Sequence, residues 1–194
     1  MSALWCATTN PGKLREFQAA LHAAFDIRIV PRLDRVPPAP ETGATFEENA
    51  AQKALYYASR APGPVFVDDS GLEVNALDGA PGVHSARFAG PEADDAENNR
   101  LLLERMHGVE NRTARFVCVV ALAESDRLIQ TFRAEVEGRL LTGPRGGNGF
   151  GYDPLFFYPP LNATFAEITL AQKMKVSHRS RALAAMRKWI TTHK

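Results

Sequence analysis

Ala3-Leu4-Trp5-Cys6-Ala7-Thr8, running into Thr9-Asn10-Pro11-Gly12-Lys13, is the stretch on which the fold turns. The first run reads as a short buried strand, and Asn10-Pro11-Gly12 breaks it. Leu14, Phe17, Leu21 and Phe25 then recur at helical spacing, so the order is strand, loop, helix, the opening move of an α/β fold. Ile27, Ile29 and Val30 suggest a second strand, and the proline-rich stretch from Val36 to Pro40 forces an extended loop. Thr45-Phe46-Glu47-Glu48 has capping-box spacing, which predicts a helix from there to about Arg60. Pro64 to Val67 is a compact apolar strand that delivers Asp68 and Asp69 to its C-terminal end, where open α/β sheets present their ligands.

Further along, glycines and prolines describe a long structured loop from Ser70 to Gly90, and Ala93 to His107 reads as a helix with Leu101, Leu102, Leu103 and Met106 on its buried side. Arg115 to Ala123 and Leu128 to Val136 read as an antiparallel hairpin, and Arg179 to Trp189 as a closing helix with Leu183, Met186 and Ile190 on one stripe. A chain of 194 residues suits one domain, at most with two lobes. The 23 basic residues nearly balance the 22 acidic ones, so no global field advertises nucleic-acid binding, and an anionic ligand must be held locally. Cys6 and Cys118 sit in apolar runs rather than at metal or redox spacing and read as reduced core thiols. No apolar run approaches the roughly 18 residues of a membrane helix, and no signal-peptide pattern opens the chain, so the expected setting is the cytoplasm.

Four segments carry chemistry. At Thr8 to Lys13 the free N–H groups of a helix start converge with the Lys13 ammonium, which suits a phosphate; an asparagine cap followed by a solvated lysine is the alternative. Asp68 and Asp69 suit a hard cation such as Mg²⁺ or a proton taken from water, and equally a self-capping turn, with Glu41, Glu47 and Glu48 as candidate second ligands. Phe150-Gly151-Tyr152-Asp153, after Gly146-Gly147-Asn148-Gly149, sets aromatic faces and a carboxylate beside flexible backbone, as a base site requires, although the run through Phe156, Phe157 and Tyr158 is also what a core looks like. Lys173, His178 and Arg179 place three donors in a short stretch, suited to a carbonyl-bearing base; the alternative is Ser177 as a helix cap with His178 and Arg179 as exposed first-turn residues.

Taken in order, Thr9 to Lys13, Glu41-Thr42-Gly43, Thr45 to Ala50, Val67 to Leu72, Gly79-Ala80-Pro81-Gly82 with Ser85-Ala86-Arg87, Gly149 to Phe156 and Ser177-His178-Arg179 resemble the inosine triphosphatase family over almost the full length. The resemblance implies an α/β fold with an elongated mixed sheet and flanking helices, two lobes around a central nucleotide cleft, and a homodimer. It also implies a reaction: Mg²⁺-dependent hydrolysis of purine nucleoside triphosphates bearing hypoxanthine or xanthine to the monophosphate and pyrophosphate. Carried over by position, Thr8, Thr9, Asn10, Pro11, Gly12 and Lys13 hold the triphosphate, Glu41 and Asp69 the metal, and Lys53 a phosphate oxygen. Asp69 is also the base for water, and Ser70, Phe150, Gly151, Tyr152, Asp153, Lys173, His178 and Arg179 contact the nucleotide. Neither nucleic acid nor membrane is an implied partner. His84, Gln172 and Met174 depart from the family's usual residues.

Overall fold

The computed structural model describes residues 3–193. Seven strands form one mixed sheet in the order β2-β1-β3-β4-β5-β6-β7. Its first part is built by alternation: β1 (Ala3–Cys6), α1 (Pro11–Leu21), β2 (Asp26–Ile29), α2 (Phe46–Ala58) and β3 (Val65–Val74). β1 pairs in parallel with both β2 and β3, as helical crossovers dictate. Because β2 and β3 flank β1 on opposite sides, the strand order switches at β1, and the C-terminal ends of β1 and β3 are where such a sheet leaves room for a ligand.

The chain divides into two compact units. Among the described residues, the first comprises residues 3–69, 118–134 and 178–193. Its core gathers Leu4, Cys6, Phe17, Leu21, Phe66, Val120, Leu183 and Met186, with Phe17 edge-on to Phe66 at 5.0 Å. The stripe predicted for the last helix, α5 (His178–Thr192), lands here, with Ile190 packed against the cluster. Cys6 and Cys118 are free and buried, as expected, and burial pushes the Cys6 thiol up to about 12. The second unit, residues 70–117 and 135–177, packs Leu72, Leu102, Met106, Phe116, Leu155, Phe156 and Phe165 around α3 (Asp95–Arg105). The hairpin strands β4 (Thr113–Glu124) and β5 (Arg127–Leu140) contribute residues to both units, and the short strands β6 (Phe156–Tyr158) and β7 (Ala163–Thr164) pair antiparallel after β5. No helix among the described residues is long and apolar enough to cross a membrane.

Three expectations need correction. β3 does not stop at Val67 but continues through Asp68, Asp69, Ser70 and Gly71 to Val74, so the loop expected from Ser70 begins only at Asn75 and is braced by two 3-10 turns, Asn75–Leu77 and Gly82–Arg87. Aspartate and glycine are poor strand residues, and tertiary pairing overrides that preference here. A further helix, α4 (Leu170–Val176), precedes α5. Its N-cap Thr169 forms a capping box with Gln172, so a residue that departs from the family pattern has a local structural task. Finally, His178 and Arg179 are buried, as is Ser177, which removes the alternative that the His-Arg pair is only a pair of exposed first-turn residues.

Candidate active site

β1 ends at Cys6, which pairs with Phe66, so β3 residues beyond Phe66 project past the end of their parallel neighbour. Asp68 and Asp69 occupy that position and are both buried, at 5% and 7% exposure. Carboxylates tolerate such burial only with partners, and each has a different set.

Asp68 lies within a chain of ion pairs. Its Oδ1 is 3.0 Å from Lys13 Nζ, its Oδ2 accepts from Arg179 Nε at 3.0 Å, and Arg179 Nη1 donates to Glu16. Burial alone would raise the Asp68 pKa; the charges of Lys13, Arg179 and Lys53 outweigh it and hold the carboxyl well below the usual range. Asp69 faces Lys53, whose ammonium lies 2.7 Å from Asp69 Oδ1 and 3.0 Å from Glu41 Oε1. Burial raises the Asp69 pKa and Lys53 only partly offsets it, while Lys53 itself, despite burial, is held protonated by Asp69, Glu41 and Asp68. Asp69 Oδ2 is buried and makes no hydrogen bond. An orphaned buried carboxylate oxygen beside a second carboxylate is a place for a cation or a water proton.

Glu41 reaches this point because its loop is strapped onto the start of α2. Glu48 Oε2 accepts from the Ala44 and Thr45 amides, Asn49 Oδ1 from the Gly43 amide at 2.8 Å, and Thr45 Oγ1 from the Glu48 amide, completing the predicted capping box. A Cβ on Gly43 would come within 2.5 Å of Glu48 Cβ, so only glycine lets the loop lie this close. Glu48 is thereby committed to the cap, and Glu47 pairs with Arg133, which leaves Glu41 as the carboxylate near Asp69. Among the described residues no three or more His, Cys, Asp or Glu side chains gather as a metal cage. Mg²⁺ does not require one, since it commonly takes one or two carboxylates together with waters and substrate phosphates. Glu41 and Asp69 fit that requirement.

The cap expected of the first loop is present. Asn10 caps α1 by accepting from the Lys13 amide at 3.0 Å, with Pro11 in the first turn, and Thr8 Oγ1 accepts from the Asn10 amide. Lys13, though, is not merely solvated: it pairs with Asp68 while its side chain stays 20% exposed. Thr9, Asn10 and Pro11 are exposed, and Gly12 is buried.

In the second unit, Asp153 and Lys173 form a buried ion pair, and Asp153 Oδ2 also accepts from the Phe150 amide at 3.0 Å. The Lys173 ammonium lies 5.0 Å from the Phe150 ring centroid. Gly149, at a φ of +76°, lies so close to Asp153 that a Cβ would sit 2.0 Å from its Oδ2. Tyr152 is not an open aromatic face: it is 5% exposed in the core of this unit, and its hydroxyl donates to the Ser85 carbonyl at 2.9 Å. Phe150 is the half-buried ring of the loop. Arg179 was expected at a base; two of its nitrogens are instead engaged by Glu16 and Asp68. His178, 3% exposed, and Arg179 belong to the first unit, whereas Lys173 and the 150–153 loop belong to the second; Ser70, half-buried, opens the second at the residue after Asp69. Sequence reading missed Glu16, because a glutamate three residues after Lys13 on a helix looks solvated; the hydrophobic neighbours Phe17 and Leu21 were the available signal.

A model of the Ham1 family matches residues 4–189 of this chain. The chain belongs to the Ham1 family. Curated relatives of this Ham1-family chain include the dITP/XTP pyrophosphatase of Syntrophobacter fumaroxidans, 53% identical over 94% of this chain and 79% of that protein. Among solved structures, the Ham1 protein of Staphylococcus aureus superposes with a TM-score of 0.88 at 36% identity, covering all of both chains. A HAM1 protein from Coxiella burnetii does so with a TM-score of 0.87 at 40% identity, covering 99% of this chain and all of that one. The resemblance drawn from the motifs and the mixed α/β sheet are thereby borne out.

Proposed function

We propose that this chain hydrolyses nucleoside triphosphates of hypoxanthine and xanthine, ribo or deoxy, to the monophosphate and pyrophosphate, with Mg²⁺ as cofactor. The observation that carries the reading is Asp69, a buried carboxylate with one oxygen on Lys53, the other unpartnered, and Glu41 beside it. The dITP/XTP pyrophosphatase names of close relatives supply the substrate class. Bound by Glu41 and Asp69, Mg²⁺ would neutralise phosphate charge and polarise the phosphoryl group. Thr8 to Lys13 and Lys53 would orient the triphosphate. Asp69 Oδ2 takes a proton from water as the water oxygen bonds to the α-phosphorus; the bond from that phosphorus to the bridging oxygen breaks, and the oxygen leaves with pyrophosphate. The buried Oδ2, without a hydrogen-bond partner, suits a proton acceptor, and Lys53 compensates the charge that develops.

Base selection follows from donor placement. Hypoxanthine and xanthine present a 6-carbonyl acceptor where adenine presents an amino donor, and Lys173, held beside the Phe150 ring, supplies the donor. A site built for one hydrogen-bonding pattern rejects the analogue that cannot pair by roughly 10⁴–10⁵-fold. Comparing ITP, XTP, dITP, ATP, GTP and dUTP at one Mg²⁺ concentration tests the reading: ITP and XTP turn over far faster than ATP and dUTP, and equal rates would refute it. On the family resemblance alone, the chain works as a homodimer, which light scattering checks.

Lys13 and Lys53 address oxygens common to every triphosphate. Lys53→Ala is expected to lower kcat/KM for ITP and ATP in parallel, by tenfold or more, with the ITP to ATP ratio kept. A changed ratio would place Lys53 at the base, and an unchanged kcat/KM would leave it a strut between two carboxylates.

A further inference from the structure

The 150–153 loop is held by a helix to which neither the sequence motifs nor the proposed reaction gives a role. Asp95 and Asn99 stand one turn apart on α3. Asp95 Oδ2 accepts from the Gly151 amide at 2.6 Å, and Asn99 Nδ2 donates to the Gly151 carbonyl at 2.9 Å and to the Asp95 carbonyl at 2.8 Å. Both backbone groups of Gly151 are therefore gripped from one helical turn. The amide orientation of Asn99 is settled by chemistry, because two carbonyl acceptors face it and only the NH₂ end can meet them. Asn99 Oδ1, on the far side, is buried without a partner, a cost that the two donated bonds must offset.

The neighbouring Asn98 extends the same device. At 3% exposure, it accepts from the Ala89 amide and donates to the Ala86 carbonyl, fixing the segment whose Ser85 carbonyl receives the Tyr152 hydroxyl. The loop is thus anchored at Gly151 by α3, at Tyr152 by Ser85 and at Asp153 by Lys173. The Phe150 ring is left as its half-exposed feature.

We infer that Asp95 and Asn99 are positioning residues for base recognition: their grip on Gly151 sets the orientation of the Phe150 ring and the Asp153 carboxylate, so their loss relaxes the choice of base while leaving phosphate chemistry intact. This deepens the proposed function and rests on it. Asp95→Ala removes the acceptor at an exposed first-turn position where folding is insensitive, Asp95→Asn keeps an acceptor oxygen, and Asn99→Asp turns a carboxylate toward two carbonyls. Two readouts are taken: hydrogen exchange of the Gly151 amide, and the ratio of kcat/KM for ITP to that for ATP. Asp95→Ala and Asn99→Asp are expected to speed Gly151 exchange at least tenfold and narrow the ratio at least tenfold, with kcat on ATP and Tm little changed, while Asp95→Asn stays within about threefold of wild type on both. Unchanged exchange or an unchanged ratio in Asp95→Ala overturns the inference, even if Asn99→Asp fails to fold. A wild type that does not prefer ITP to ATP removes the reading of the site instead, and the exchange readout then still decides whether the clip exists.

Discussion

Asp69→Asn is expected to leave the protein folded and to lower kcat on ITP by about 10²–10⁴-fold, the range typical for loss of a general base. The substitution keeps the shape of the side chain and the position on β3, and Lys53 retains Glu41 as a partner, so the secondary structure and Tm should stay close to wild type. What disappears is the buried carboxylate oxygen that has no hydrogen-bond partner. Circular dichroism and steady-state turnover on the same preparation check both halves. Turnover within threefold of wild type would remove Asp69 from the chemistry.

Arg179→Ala is expected to act on stability. Arg179 is 2% exposed and stands between Glu16 and Asp68, themselves 2% and 5% exposed, so its removal takes a charged partner from each of two buried carboxylates. Breaking a buried pair from one side costs about 3–5 kcal/mol, which for a chain of this size lowers Tm on the order of 10 °C. The pH dependence follows from the sign of the shift. Asp68 is held below its usual pKa, so the stability that its charge contributes is fully present above the unfolded value of about 4 and is lost as pH falls through the lower folded value. Without Arg179 the folded value rises, and acid unfolding should begin at a higher pH than in wild type. Urea unfolding at pH 7 and a pH titration of ellipticity measure the two effects; a loss under about 1 kcal/mol would mean that the carboxylates find water on their own.

Local signals in the sequence were legible where the cause is local. The Thr45–Glu48 capping box, the Asn10 cap with Pro11, the buried thiols and the Leu183-Met186-Ile190 stripe depend on neighbours within a turn or on simple periodicity, and all are found. The extension of β3 through Asp68-Asp69-Ser70-Gly71 was not legible, because those residues favour turns, while the strand lies between β1 and β4 in the sheet and its two aspartates meet Lys13, Arg179 and Lys53, partners distant in sequence. The same holds for Glu16, Arg179 and Tyr152, whose burial depends on what packs over them. Asp95 and Asn99 carry no local signal of a task, and only the return of Gly151 to their helix, more than fifty residues later, gives them one.

The central claim is that water attacks the α-phosphorus and expels pyrophosphate. Hydrolysis of ITP in ¹⁸O-labelled water with Mg²⁺, followed by mass spectrometry of the products, tests it in one step. The label is expected in inosine monophosphate, with unlabelled pyrophosphate released in equal amount. Label in pyrophosphate, or products that are the diphosphate and inorganic phosphate, would contradict it.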